Sequence, residues 1–213
     1  MNRTQLEHII RAASAIANDD EIVVIGSQAI HAHAIELPLS AYLSKEADVY
    51  PLNHPDRSAL IEGSLGRGSP FNVTFGYYAD GVAPETATLA PGWQARTIRL
   101  SNANTGGATG VCLGIADIVV SKFAAGRDKD LSYNQALLRH GCVTKKDLTQ
   151  LTRKLSLGQA EKVEILQRIE TAFAYAQGPA HEDKYLNADA EYTIQARPER
   201  EAVVLEKIKK GEA

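Results

Sequence analysis

The chain has 213 residues, 44% of them hydrophobic and 23% charged, and carries a formal net charge of -3 at pH 7. That length suits one compact domain with a small appendage, and the composition excludes a wholly disordered chain, a collagen and a disulfide scaffold. No apolar run approaches the roughly 20 residues that span a bilayer, so no membrane association is expected. Cys112 and Cys142 stand far apart and point to a reduced, cytoplasmic protein. The mildly acidic balance argues against a broad nucleic-acid-binding face and leaves room for a local basic patch.

The predicted elements begin with a helix over residues 4–18. Leu6, Ile9, Ile10, Ala13, Ile16 and Ala17 recur at helical spacing, and Thr4 with Glu7 reads as a capping box. Glu7 inside this amphipathic stretch does not suit a signal peptide. Asn18-Asp19-Asp20 stops the helix, and Ile22–Ile25 reads as a buried strand ended by Gly26-Ser27. The alanine-rich run Gln28–Glu36 predicts a helix up to Pro38. Lys45–Leu52 reads as a second strand, and Asp56 as the cap of a short helix carrying Leu60, Ile61 and Leu65. Gly63–Pro70 reads as a loop and the alternating, aromatic Phe71–Ala79 as a strand closed by an Asp80-Gly81 turn.

Ala83–Gly92 is irregular. Arg96–Leu100 and Gly110–Leu113 predict two strands joined through Asn102–Gly107. From Ile115 the pattern turns helical, with Ile118, Val119, Phe123 and Ala124 on one face. Further helices are predicted over Leu131–Arg139, from a Thr144 cap through Leu148, Leu151 and Leu155, and over Gln159–Ala176. Val203, Val204, Leu205 and Ile208 suggest one last short helix. The expected fold class is α/β (α+β): a mixed sheet flanked by helices over residues 1–140, with a helical C-terminal extension over 141–213. The second and third strands show no long crossover helix between them, which disfavours a doubly wound parallel sheet.

Three local features carry chemistry. Gly26-Ser27 lies where a strand gives way to a helix, a place where backbone can approach an anion and Ser27 can bond a phosphate; a plain N-cap is the bland alternative. Glu46 and Asp48 are two residues apart on a strand, so they share a face and can hold a hard divalent cation. The alternative there is a solvated pair, but Val49 and Tyr50 argue for a strand at least half buried. In Asp117–Asp130, Lys122, Arg127 and Lys129 sit on or just past a helix whose other face is apolar. They can clamp phosphates, with Asp130 orienting Arg127 or Lys122, or simply form an ion-paired surface. His31 and His33 make a poor metal pair at their spacing, Cys112 reads as core, Trp93 as a plug at the sheet edge, and His140 suits a helix end. Of Tyr77 and Tyr78, one is expected in the core and one free to stack on a base.

The succession of apolar strand, Gly26-Ser27, helix, and Glu46-Ala47-Asp48 on the next strand resembles the nucleotidyltransferase superfamily of the DNA polymerase β type. Lys122, Arg127 and Asp130 resemble the lysine–arginine–aspartate motif of AbiEii and MenT-like toxin nucleotidyltransferases. The stretch from Ile22 to about Leu138 resembles small bacterial nucleotidyltransferase-like proteins of the DUF6036 type, through Val24–Ile30, Glu46–Pro51, Phe75–Val82 and Ser121–Leu131. The gap from Ser27 to Glu46 is longer than usual in the superfamily, and Glu46 stands where aspartate is commoner.

The resemblance implies Mg²⁺ (or Mn²⁺) held by Glu46 and Asp48, with Asp80 as the third catalytic carboxylate. It implies that Gly26 and Ser27 hold the β- and γ-phosphates of an NTP, while Lys122, Arg127 and Asp130 complete nucleotide binding. The activity implied is transfer of a nucleoside monophosphate to a hydroxyl on RNA such as tRNA, on a protein or on a small molecule, and the toxin branch of the resemblance implies a toxin paired with a cognate antitoxin. The competing readings are a catalytically inactive nucleotide- or partner-binding regulator built on the same fold, and an antitoxin that pairs through its helical C-terminal third.

Overall fold

The computed structural model describes residues 1–33, 39–42 and 44–176. The described residues belong to one compact unit. Among the described residues no helix is long and apolar enough to cross a membrane. The predicted helix around Val203–Ile208 lies outside the described residues.

The chain opens with α1 (Arg3–Ala17). Its capping box is Asn2 with Gln5 rather than Thr4 with Glu7. Glu7 is instead buried, and accepts hydrogen bonds from Arg3, Asn102 and Asn104, tying the helix to a distant turn. Asn18 ends α1 in the left-handed conformation that asparagine tolerates. Asp19 then accepts from the backbone of Glu21, Asn53 and His54.

Five strands form one mixed sheet in the order β3-β2-β1-β5-β4: β1 (Glu21–Ile25), β2 (Glu46–Pro51), β3 (Tyr78–Gly81), β4 (Ile98–Leu100) and β5 (Thr109–Cys112). β1 is central, antiparallel to β2 and parallel to β5. β4 and β5 pair antiparallel, as the two predicted strands around Asn102–Gly107 require.

The segment between β2 and β3 differs from its prediction. It holds α2 (Ser58–Leu65) and α3 (Pro70–Phe75), a helical crossover, and β2 and β3 are accordingly parallel. Phe71–Ala79 is therefore not one strand. Ser69 caps the amide of Asn72 and Pro70 occupies the first helical position, which together start a helix despite the aromatic alternation. α2 itself runs into the Gly63–Pro70 stretch predicted as loop. A Cβ at Gly81 would collide with the Ser58 carbonyl, so the glycine lets β3 pack directly on α2.

The helical part comprises α4 (Ile115–Ala125), α5 (Asp128–Arg139), α6 (Lys145–Lys154) and α7 (Gln159–Ala176). Thr144 caps α6 as predicted, accepting from the Asp147 amide. α4 joins two apolar cores. Ile118 packs with α1 and the sheet, whereas Val119, Val120 and Phe123 pack with Leu137, Leu148, Leu155, Ile165 and Ile169. Arg96 grips the buried Asp117 of α4 through two hydrogen bonds of 2.8 and 2.7 Å, which fixes this helix against the segment before β4. Trp93 packs partly buried on the sheet core.

Candidate active site

The register of β2 and β3 assembles a group of acids. Glu46 and Asp48 share a face of β2 by strand parity. In the parallel pairing Glu46 stands opposite Tyr78 and Asp48 opposite Asp80. Asp80 thus lies inside a strand rather than in the turn predicted for Asp80-Gly81. One carboxylate oxygen from each of Glu46, Asp48 and Asp80 falls within 4.8 Å of the others, and all three residues are half-buried.

Burial, then the charges of Glu46 and Asp80, push Asp48 up to about 6, with Lys122 and Lys129 pulling the other way. Burial, then Glu46 and Glu62, likewise push Asp80 up to about 6. Among the described residues none donates a hydrogen bond to either carboxylate. Crowded oxygen donors without partners are the donor set a hard divalent cation selects.

Gly26 is the close neighbour of this group. It has φ 69° and ψ −158°, a backbone region essentially restricted to glycine, and a Cβ there would overlap Asp48 Oδ2. Glycine at this position makes room for the carboxylate. Ser27 opens a short 3₁₀ helix, Ser27–Ala32, in place of the start of the α-helix predicted over Gln28–Glu36, whose end lies outside the described residues. It is not an N-cap, since Gly26 holds that position and no side chain caps the turn. The Ser27 carbonyl accepts a hydrogen bond of 3.2 Å from the Tyr133 hydroxyl of α5.

Lys122, Arg127 and Asp130 come together across the break between α4 and α5. Gly126 (φ 65°) ends α4, and the chain re-enters helix at Asp128. Asp130 is fully buried and accepts from Lys122 Nζ at 2.6 Å and from Arg127 Nε. The bond to Arg127 and then that to Lys122 outweigh burial and hold Asp130 below the usual carboxylate range. Lys122 Nζ also lies 4.6 Å from the centre of the Tyr133 ring. Tyr133 links this group to the Gly26-Ser27 turn, since its ring faces Lys122 and its hydroxyl bonds the Ser27 carbonyl.

On the other side, the sequence reading missed the role of two residues. The Tyr78 hydroxyl donates to Glu46 Oε2 at 2.7 Å and accepts from Arg67, whose guanidinium lies 3.6 Å from the same Glu46 oxygen. Tyr78 is a buried residue, as is Tyr77, whose hydroxyl pairs with His8 at 2.7 Å. Neither tyrosine ring is free to stack on a base. Arg67 lies in a glycine- and serine-rich loop with no periodic signal to mark it.

His31 and His33 are structural. His31 is stacked on Tyr42 and paired with Gln28, and burial lowers it to about 4, so it is neutral. His33 Nε2 lies 3.0 Å from the Leu113 carbonyl. Burial pushes the Cys112 thiol up to about 12 and keeps it inert in the core. His140 closes α5 with its ring nitrogen at the Ala136 carbonyl.

A mixed sheet that carries its acids on two neighbouring strands, against a strained Gly–Ser turn, has the ground plan of a nucleotidyltransferase. The chain belongs to the DUF6036 family, described as a nucleotidyltransferase of unknown function, whose family model matches residues 4–167. No curated protein and no solved structure matches the chain.

Proposed function

We propose that the protein is a metal-dependent nucleotidyltransferase that moves a nucleoside monophosphate from an NTP to a hydroxyl acceptor. The observation that carries this reading is the convergence of Glu46, Asp48 and Asp80 beside Gly26 in a chain of this family. Glu46 and Asp48 would hold Mg²⁺ (or Mn²⁺), which supplies charge neutralisation of the triphosphate and a more acidic acceptor hydroxyl.

The chain's own groups do the rest. The Ser27 hydroxyl and the backbone around Gly26 hold the β- and γ-phosphates. Lys122 and Arg127, aimed by Asp130, stabilise charge on the triphosphate. The acceptor oxygen forms a bond to the α-phosphorus, the bond from that phosphorus to the bridging oxygen breaks, and pyrophosphate leaves with the electron pair. Asp80 takes the acceptor's proton.

The inactive-regulator reading drew on a missing third carboxylate, and the position of Asp80 supports the enzyme reading instead. The readings of an RNA acceptor such as the 3′ end of tRNA, and of a toxin with a cognate antitoxin, rest only on the likeness of Lys122, Arg127 and Asp130 to the toxin motif.

The test incubates the purified protein with each α-labelled NTP, Mg²⁺ and total RNA, then repeats the assay with cell extract as acceptor source. Label is expected in an acceptor with wild type and not with Glu46→Ala or Asp48→Ala. Label on nothing with every NTP, or full transfer by both variants, sinks the proposal.

A further inference from the structure

Beside the acids, on the side away from Gly26, lies an open cleft of about 500 Å³ lined by Lys45, Glu46, Arg67, Asn72 and Tyr78 among others. That volume is within the range of small-ligand sites. Its chemistry is that of an anion site. Arg67 has a side chain 77% exposed, yet it is not loose. Its Nε and Nη2 both bond the Tyr78 hydroxyl, and its guanidinium lies 5.2 Å from the Tyr78 ring centre. Nη1 makes no hydrogen bond to any described residue.

Asn72 is similarly aimed. Its Oδ1 accepts from the Gly68 amide at 3.0 Å, which leaves the amino group as a donor on the cleft wall. Lys45 adds an exposed ammonium. One fixed guanidinium, one ammonium and one amide donor suit the several oxygens of a phosphate better than a neutral ligand.

Position in the sheet says which phosphate. Lys122 stands by the Gly26-Ser27 turn, its ammonium against the Tyr133 ring whose hydroxyl bonds the Ser27 carbonyl, and shares Asp130 with Arg127. Arg67 and Lys45 face them from the β3 side, next to Glu46. Two separate cationic walls flank one acidic centre, and only one of them is needed for a triphosphate.

We infer that this cleft is the acceptor subsite, and that the acceptor carries a phosphate group held by Arg67, Lys45 and Asn72 close to its reacting hydroxyl. The place of the cleft in a reaction rests on the nucleotidyl-transfer reading; its affinity for phosphate does not. Glu46 repels an anion here, so phosphate binding should need Mg²⁺.

The test measures equilibrium binding of two probes with Mg²⁺ present: a short fluorescent single-stranded RNA of mixed sequence, and glycerol 3-phosphate. In parallel, binding of α,β-methylene nucleoside triphosphates is measured. Binding of at least one probe is expected, weakened about tenfold or more by Arg67→Ala and less by Lys45→Ala, with analogue affinity lowered by a smaller factor than probe affinity. RNA binding without competition by glycerol 3-phosphate assigns the phosphate to a nucleic-acid backbone, and the converse assigns it to a small phosphorylated acceptor. Failure of both probes to bind wild type, or unchanged binding in both variants, overturns the inference. Failure of the analogues alone, with Arg67-dependent probe binding retained, instead removes the nucleotidyl-transfer reading and leaves the phosphate site standing.

Discussion

Replacing Asp48 by asparagine should stabilise the protein without metal and abolish its stabilisation by metal. Raising an aspartate from 3.8 to about 6 corresponds to about 3 kcal/mol of preference for the neutral form, at about 1.36 kcal/mol per pH unit. Asp48 is half-buried, so solvent screening cuts that figure to about 1–2 kcal/mol at pH 7.5. Asparagine carries no charge and its amino group can donate to Glu46 or Asp80. For a folded unit of this size the gain is about 3–6 °C in Tm. Wild type should behave in the opposite sense on adding Mg²⁺, gaining about 2.7 kcal/mol when the free ion is 100 times its Kd. Differential scanning fluorimetry of both proteins, in EDTA and across a Mg²⁺ titration, reads both effects. An asparagine variant that melts lower than wild type in EDTA, or that gains as much from Mg²⁺, would refute the idea that Asp48 is a strained, partnerless ligand.

The same crowding sets a pH dependence. Asp48 and Asp80 bind protons more tightly folded than unfolded, so in EDTA their contribution to stability falls as pH rises from about 4 to 7, while His31, lowered by burial, contributes in the opposite sense; the urea-midpoint gain of Asp48→Asn over wild type should therefore grow across that window, and a gain that stays flat would contradict this. Gly26→Ala should cost about 1–3 kcal/mol for its backbone conformation and displace Asp48, so that chemical denaturation shows the loss and Mg²⁺ no longer protects. Asp130→Asn leaves Lys122 and Arg127 without their buried acceptor and should cost about 3 kcal/mol; a urea midpoint within experimental error of wild type would show that the buried pairing is dispensable.

The parts of the fold legible in the sequence were those set by local pattern. Ile22–Ile25, Gln159–Ala176 and the Thr144 cap depend on nearest neighbours and appear where the periodicity puts them. The errors share a cause, which is that tertiary partners decided. Glu7 has capping-box spacing from Thr4, but it is drawn to Asn102 and Asn104 almost a hundred residues away. Phe71, Phe75 and Tyr77 alternate like a strand, yet their rings cluster with His8 of α1, and Ser69-Pro70 supplies the helix start that the alternation concealed. At the site, Glu46 with Asp48 was readable because strand parity is local. Asp80 was nameable, but its register opposite Asp48 was not, because the crossover through α2 and α3 makes β2 and β3 parallel. Arg67 left no signal at all: a single arginine in a flexible-looking loop gains meaning only from Tyr78 and Glu46.

Charge at the site then constrains the order of binding. Glu46, Asp48 and Asp80 contribute three negative charges within 4.8 Å of one another. Lys122 and Arg127 share the buried Asp130, so that group offers one net positive charge, and Lys45 and Arg67 offer two more at the cleft. The region as a whole is neutral, but its centre is negative and its cations stand at the rim. A free triphosphate approaching that centre meets repulsion that the rim only offsets, whereas a nucleotide already chelated to a divalent cation brings its positive charge to the carboxylates that lack partners. Nucleotide affinity should therefore rise steeply with Mg²⁺. On the proposed reading Asp130 should tune this dependence: it consumes one cationic charge, so Asp130→Asn is expected to strengthen metal-free nucleotide binding and flatten the Mg²⁺ dependence, and an unchanged dependence would refute this.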